Sequence, residues 1–186
     1  LLSDSLLLMT PNKNVARMKK SFDKIKDLLS RYFVGLVFQI LILFVIYTVA
    51  LLLFGIQNAV MIAFLCALLN LIPYIGPLIG GVVMMVLSMS SNLGQDFQDV
   101  ILPKTSYVMI GYLIAQLIDN FLSQPLIFSN SVKSHPLEIF LVIVVTGLLF
   151  GVIGMMLAVP SYTVLKVIAQ EFMSTNKIVK RITKDL

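Results

Sequence analysis

The chain of 186 residues is 59% hydrophobic and 12% charged, with a mean hydropathy of +0.98. Soluble domains are about 45–50% apolar and about 25% charged, so the composition excludes an ordinary water-soluble domain and places the chain in a bilayer. The 14 Lys and Arg bracket a hydrophobic block, which argues against a nucleic-acid binder and marks the basic ends as topology signals. A single cysteine, Cys66, excludes an intrachain disulfide and a cysteine-rich metal site.

The amino-terminal part begins with a mostly apolar stretch, residues 1–9, which we interpret as the end of an upstream hydrophobic segment. The chain is therefore expected to be the C-terminal part of a longer protein. In residues 13–32, apolar side chains recur in steps of three and four, and lysines and aspartates occupy the other face. This pattern predicts an amphipathic helix that either lies on the anionic cytoplasmic leaflet or packs on a cytoplasmic domain.

The first full membrane span is predicted at Phe33–Phe54, which has no formal charge. At 1.5 Å per residue it reaches about 33 Å, enough for a hydrocarbon core about 30 Å thick. Gln39 is its most polar residue, and we expect it to make an interhelical hydrogen bond rather than to contact a solute.

A broken helix pair follows between Asn58 and Ser91. Pro73 and Pro77 lack a backbone donor and disfavour helical geometry in Ile72 and Gly76, so the helix must open there. Arms as short as Asn58–Ile72 and Leu78–Ser91 favour a re-entrant hairpin, with two tilted short spans as the alternative. Non-helical backbone within the membrane is tolerated where it is buried in protein or lines a water-filled cavity. The candidate pathway residues at this tip are Asn70, Pro73, Tyr74, Gly76 and Pro77.

After a polar loop at Asn92–Pro103, a second full span is predicted at Lys104–Leu122. It carries Gln116, Asp119 and Asn120 within about one turn, so Gln116 shares a face with either neighbour. A carboxylate at the centre of a membrane helix costs about 2.5–3.5 kcal/mol and is usually aimed at a partner or a water-filled pathway. Two interpretations stay open for Asp119: an ion-coupling group, or an ion pair or cap near the helix end.

The last third of the chain begins with a polar connector, residues 123–136, which holds the only histidine. Beyond it the apolar segment Leu137–Phe172 contains Gly147, Gly151 and Gly154. The Gly-x-x-x-Gly spacing of the first two usually marks close helix approach, and a glycine-weakened break would equally split the segment into a second broken pair. The pattern of a full span and then a broken pair thus occurs twice, and the two units are expected to be inverted. Such matched interruptions indicate a transporter site near the midplane, where the two tips would meet.

The charges assign a topology to this arrangement. Seven basic residues lie between Lys13 and Arg31 and five between Lys166 and Lys184. By the positive-inside rule, the amphipathic helix and the basic tail of residues 173–186 are cytoplasmic, and the membrane domain is residues 33–172. The predicted fold class is therefore all-α: a polytopic transmembrane helical protein with two full spans, two broken or re-entrant helix pairs in an inverted repeat, and an amphipathic interfacial helix.

Four ordered motifs, spread over residues 11–172, resemble the autoinducer-2 exporter family of bacterial membrane proteins. They are Asn-Leu-Ile-Pro-Tyr-Ile-Gly-Pro at 70–77, Gln-Leu-Ile-Asp-Asn at 116–120, Ser-Val-Lys-Ser-His-Pro-Leu at 131–137, and the glycine-rich run at 147–160. The resemblance implies a bacterial inner-membrane secondary transporter of about twice this length, oligomeric and expected to be pentameric. It implies export of the furanone autoinducer-2, with sodium or lithium exchange for protons in some members. Where family members commonly have Glu, this chain has Asp119, which keeps the charge on a shorter side chain.

The leading hypothesis is a transporter in which both tips and the Gln116–Asn120 motif line the pathway, with Asp119 binding H⁺ or Na⁺. One alternative is a Na⁺(Li⁺)/H⁺ antiporter without organic substrate, and another is a non-transporting membrane scaffold. An intramembrane enzyme is disfavoured, because no Ser/His, paired-Asp or His-Glu-x-x-His constellation is present. The expected partners are the lipid bilayer, a small-molecule solute, H⁺ or Na⁺ and copies of the same chain, and we expect no cofactor, metal or nucleic acid.

Overall fold

The computed structural model describes residues 12–123 and 135–172, and these residues are helical with no strand among them. The predicted all-α, polytopic class is confirmed. The predicted upstream segment at 1–9, the basic tail at 173–186 and most of the connector lie outside the described residues. The described residues form two compact units, one made of residues 12–34 and 135–172 and the other of residues 35–123.

The first helix, α1, runs without interruption over Asn12–Leu53, 42 residues. The separate amphipathic helix and span of the sequence prediction are therefore one helix. No proline or glycine occurs between Asn12 and Val34, so nothing in the backbone chemistry ends a helix where the side-chain pattern changes. At 1.5 Å per residue α1 is about 63 Å long, roughly twice the thickness of a hydrocarbon core.

Two short helices form a first hairpin, α2 at Ala59–Leu69 and α3 at Ile75–Ser90. The arms lie side by side: the Cys66 thiol is 3.6 Å from the Gly80 carbonyl oxygen, and the Ser91 hydroxyl donates to the Gln57 carbonyl at 3.3 Å. The predicted break between two short helices is confirmed, and the depth to which the pair enters a membrane stays a prediction.

One detail of this prediction is wrong. Helix α3 begins at Ile75, so Gly76 is helical and not extended, and Pro77 lies in the first turn. A proline is tolerated there because the amide of a first-turn residue has no intrahelical acceptor to lose.

The second span is α4, Leu102–Ile118, flanked by π-helical turns at Phe97–Ile101 and Asp119–Ser123. Helical structure therefore begins within the predicted loop, because the Asp96 carboxylate caps it by accepting from the backbone amides of Gln98 and Asp99, each at 2.9 Å. By length and composition, Arg17–Leu53 and Phe97–Phe121 could each cross a membrane, in agreement with the two predicted spans.

The last described helix, α5, covers Pro136–Phe172 but is broken at Gly151. Its length and composition would also suit a span. However, the Tyr162 hydroxyl donates to the Glu138 carboxylate at 2.7 Å, although a straight helix would separate these residues by about 36 Å. Helix α5 is thus a second hairpin, and the predicted second broken pair is confirmed in this unit.

Large apolar side chains point outward along these helices, among them Leu148 at 84% exposure and Leu78 at 74%. The outward-facing set therefore suits hydrocarbon, while the interior of the second unit holds several buried polar side chains.

Candidate functional site

The tip of the first hairpin has strained backbone. Tyr74 has φ 66° and ψ −48°, and the Ile75 amide donates to the Pro73 carbonyl at 2.8 Å, which is the geometry of a γ-turn with positive φ. This turn is rare because an L-residue is strained in it. Next to it, Gly76 lies so close to the Leu69 carbonyl that a Cβ atom at this position would overlap with the oxygen. Strain of this kind persists where the surrounding structure enforces it, and it is concentrated at functional sites.

Behind this tip lies a network of uncharged polar side chains, with Gln116 at its centre. The Gln116 Nε2 atom lies 2.7 Å from the Tyr47 hydroxyl, 3.1 Å from Asn70 Oδ1 and 3.1 Å from the Tyr112 hydroxyl. Asn70 Nδ2 in turn donates to the Cys66 carbonyl at 2.9 Å. Helices α1 and α4 and the tip of the first hairpin therefore share one hydrogen-bond network.

Two tyrosines form the walls of this network. The rings of Tyr47 and Tyr112 stack with centroids 5.2 Å apart and planes 17° apart. The Tyr112 hydroxyl donates to the Pro77 carbonyl at 2.6 Å, a carbonyl in the first turn of α3. Both tyrosines are almost fully buried, so they hold the tip against α1 and α4 while keeping their hydroxyl groups in the polar interior.

Asp119 lies one helical turn beyond Gln116 and is fully buried. Its Oδ2 atom accepts a hydrogen bond from Gln39 Nε2 at 2.9 Å, which links α4 to α1. The hydrogen bond expected for Gln39 is confirmed, and its partner is the carboxylate. Asp119 is also the first residue of the π-helical turn, a feature that is frequent at functional sites.

Helical periodicity explains why these side chains meet. On α4 the buried positions follow spacings of three and four, and on α1 the inward residues recur every four positions. The α4 set is Thr105, Val108, Tyr112, Ala115, Gln116 and Asp119, and the α1 set is Gln39, Leu43, Tyr47 and Leu51.

The structure brings together some of the predicted pathway residues. Asn70, Gln116 and Asp119 are buried in the second unit, and the Pro77 carbonyl joins them through Tyr112. Pro73 and Gly76 are buried at the tip, whereas Tyr74 is 40% exposed and Asn120 is exposed. Sequence reasoning missed Tyr47 and Tyr112. A search for polar groups four or eight residues from Gln39 and Gln116 on the same helix face would have found both.

The predicted glycines of the second hairpin lie in the other unit. Gly151 has φ 65° and ψ −149°, a region that is essentially restricted to glycine. Gly154 lies against the Thr146 carbonyl and Gly147 against the Met155 side chain, so both positions let the two arms approach closely. The three glycines therefore form one tight reversal.

The network combines polar, uncharged side chains with one carboxylate beside them. Hydroxyls and amides offer both donors and acceptors, and the buried Gln116 Oε1 atom accepts no hydrogen bond from the described residues. Among the described residues, no group of three or more His, Cys, Asp or Glu side chains could hold a metal ion. The network thus offers hydrogen-bond donors and acceptors beside one carboxylate.

Long apolar helices around a buried polar network with an acidic side chain define a polytopic helical membrane protein. The family model described as AI-2E family transporter matches residues 2–174, so the chain belongs to that family. The description of the family names transporters, and the long apolar helices of this chain suit a location in a membrane.

Three relatives illustrate this similarity. YrrI of Bacillus subtilis, whose name proposes a transport protein, is 30% identical over 173 residues, 93% of this chain and 46% of YrrI. YueF of the same species, named in the same way, is 31% identical over 150 residues, 79% of this chain and 37% of YueF. PerM of Escherichia coli K12, whose name proposes a permease, is 42% identical over 57 residues, 31% of this chain and 16% of PerM. The chain spans less than half the length of these relatives, and no solved structure matches it.

Proposed function

We propose that the full-length protein is a secondary transporter that exports a small hydroxylated solute, of the autoinducer-2 furanone type, across a bacterial inner membrane. In this proposal Asp119 binds the coupling H⁺ or Na⁺. The two tips and the Gln116–Asn120 motif line the pathway, the N-terminal end of α1 and the C-terminal tail are cytoplasmic, and the working form is a homo-oligomer, by resemblance a pentamer.

The observation that carries the proposal is the buried network of Tyr47, Asn70, Tyr112 and Gln116 next to Asp119. An interior of this kind is costly in a membrane protein unless polar groups compensate one another or meet a solute. The tyrosine and amide groups can exchange hydrogen bonds with hydroxyl groups of a solute at little net cost.

Coupling requires a group whose charge can change, and Asp119 supplies one within one turn of Gln116. When Asp119 is ionised, its Oδ2 accepts from the Gln39 amide; a proton or cation on the carboxylate would alter that hydrogen bond. Gln39 and Tyr47 lie on the same face of α1. A change in the hydrogen bond between Asp119 and Gln39 can therefore be transmitted along this face to the hydrogen-bond network around Gln116.

The test is transport by the full-length protein in liposomes. Asp119→Asn is expected to reduce solute flux by about tenfold or more and to remove its dependence on pH or sodium, since it removes the titratable group. Asp99→Asn makes the same chemical change at an exposed acid and should leave both properties unchanged. An unchanged rate with unchanged ion dependence in the Asp119 variant would remove this residue from the mechanism.

The same buried carboxylate also suits the alternative of a Na⁺(Li⁺)/H⁺ antiporter with no organic substrate. Proton flux driven by a sodium or lithium gradient, measured with and without the furanone, separates the two functions. Full proton exchange without any furanone movement supports the antiporter. A protein that moves neither, yet fully restores a deletion phenotype, would be a scaffold.

A further inference from the structure

The second hairpin contains a charged cluster that the pathway described above does not use. Glu138 lies on the first arm of α5, and Tyr162 and Lys166 lie on the second. The Lys166 Nζ atom is 3.6 Å from Glu138 Oε2, and the Tyr162 hydroxyl donates to the same oxygen at 2.7 Å. Glu138 is 13 residues and Lys166 is 15 residues from the break at Gly151, so the cluster lies about 20 Å along the arms from the tip.

The cluster differs from an ordinary surface ion pair in its burial. The Lys166 side chain is 2% exposed and lies over the Tyr162 ring, with Nζ 5.8 Å from the ring centroid. The Glu138 side chain is 34% exposed. The ammonium therefore depends on its neighbours in the protein for charge compensation, while the carboxylate can exchange a proton with the surroundings.

We propose that Glu138 is a second proton-binding site of the transporter, with Lys166 as its internal counter-ion. In the deprotonated state, Glu138 balances the Lys166 charge and the ion pair joins the two arms. When a proton binds the Glu138 carboxylate, Lys166 keeps its own proton, the net charge of the pair changes from zero to +1, and the attraction between the arms is lost. Proton binding would thus loosen the open end of the hairpin. The inference rests on the proposed function in assigning this proton to transport.

The described part of this unit holds further titratable and charged groups, beginning with His135, whose carbonyl accepts from the Glu138 amide at 2.9 Å. Glu171 follows Lys166 on the second arm. The Lys24 ammonium on α1 donates to the Gln170 side chain at 2.8 Å, and Arg31 pairs with Asp27 at 3.0 Å. The remaining charged side chains described on this part of α1 are Arg17, Lys19, Lys20, Asp23 and Lys26. Positive side chains therefore outnumber negative ones on this part of α1.

The proposal is tested in the full-length protein in liposomes, in a cysteine-free background that carries Ile143→Cys. Ile143 is fully buried on the first arm, so its labelling by a soluble thiol reagent reports on opening. Labelling should accelerate on acidification when Glu138 is present. Glu138→Gln mimics the protonated carboxyl group and should label about tenfold faster at every pH, because residue 138 no longer attracts the Lys166 ammonium across the two arms. The double variant Glu138→Gln/Lys166→Met removes both charges and should return to slow labelling independent of pH.

Glu171→Gln, which changes an acid on the second arm five residues after Lys166, should keep the acid-dependent labelling and serves as the control. If Glu138→Gln labels no faster than the parent, or if the double variant labels as fast as the single one, the proposal is overturned. Solute flux is measured in parallel: Glu138→Gln should flatten the pH profile, and an unchanged profile would overturn the assignment to transport. A parent protein that moves no solute or ion would count against the proposed function alone, since the labelling experiment needs no flux.

Discussion

The two helical hairpins have the same outline and different chemistry. In the first, the reversal is made by Pro73 and a strained Tyr74, and it closes on a network of neutral hydroxyls and amides. In the second, a single glycine in a glycine-only conformation makes the reversal, and the described polar contacts between its arms lie far from the tip, at a carboxylate and a lysine. A repeated topology thus carries neutral polar contacts at the first tip and an ion pair between the arms of the second hairpin.

The largest expected effect concerns how tightly the first tip is closed. Gly76→Ala places a methyl group against the Leu69 backbone carbonyl, which cannot move aside as a side chain can. We expect a loss of about 3 kcal/mol in the free energy of unfolding, measured in mixed detergent micelles by circular dichroism. Gly111→Ala meets only the Ala50 methyl group, at 3.2 Å, and should cost less than half as much. Equal losses of stability in the two variants would show that the close approach of Gly76 to the Leu69 carbonyl does not limit which residue fits there.

The second tip is tested by Gly151→Ala. A residue with a side chain is strained at φ 65° and ψ −149°, so we expect this variant to lose about 2 kcal/mol in the same assay. The neighbouring exposed Val152→Ala should change little. A Gly151→Ala variant as stable as the parent would mean that the reversal tolerates another geometry.

The neutral network is tested by Tyr47→Phe, which removes the hydroxyl near Gln116 and Asn70 and keeps the ring. The expected loss is about 1.5 kcal/mol, because a buried amide donor is left with fewer acceptors. Solute flux should fall more than proton exchange if this network recognises the solute. Tyr107→Phe is the matched control, because Tyr107 is 53% exposed and stacks on Phe54. Equal effects of the two variants on stability and flux would remove the network from recognition.

The smallest effect is expected at Tyr74. Glycine adopts φ 66° without strain but has greater freedom in the unfolded chain, so Tyr74→Gly should change stability by only about 0.5 kcal/mol in either direction. This variant and Gly151→Ala form a contrast, since one relieves strain and the other introduces it. A large loss in Tyr74→Gly would indicate that the tyrosine ring, 40% exposed, makes a contact that the tip requires.

Much of the fold could be predicted from local chemistry. Pro73 and Pro77 located the first break, and the glycines after Thr146 located the second, because these residues act on the backbone within a turn of their own position. The continuity of α1 could not be read from the side-chain pattern, since a change from amphipathic to uniformly apolar residues alters the surroundings of a helix and not its hydrogen bonds. The helical conformation of Gly76 was missed because Pro77 lies in the first turn of α3, where its missing amide costs no hydrogen bond, and the unusual backbone conformation is at Tyr74.

The candidate site was predictable in part. Gln116 and Asp119 stood out because polar groups are rare in apolar helices, whereas Tyr47 and Tyr112 were hidden by their mixed character, which suits a membrane interface, an apolar core or a polar network equally well. Which of these applies depends on the partner helix, and a single sequence does not specify pairing between distant segments. Glu138 and Lys166 show the same limit, since they are 28 positions apart and meet only because the chain reverses at Gly151.

The outward-facing leucines, valines and phenylalanines of these helices mean that an exposed position does not tolerate polar residues as it would in a soluble protein. Replacing exposed Leu78 by aspartate would disrupt no packed interior, yet it would oppose insertion into hydrocarbon by about 3 kcal/mol if that face meets lipid. Replacing buried Gln116 by leucine would make α4 more apolar, yet it would remove the side chain at the centre of the hydrogen-bond network. Variants of this protein should therefore be ranked by what each side chain contacts, with the outward faces counted as apolar and the buried network around Gln116 counted as polar.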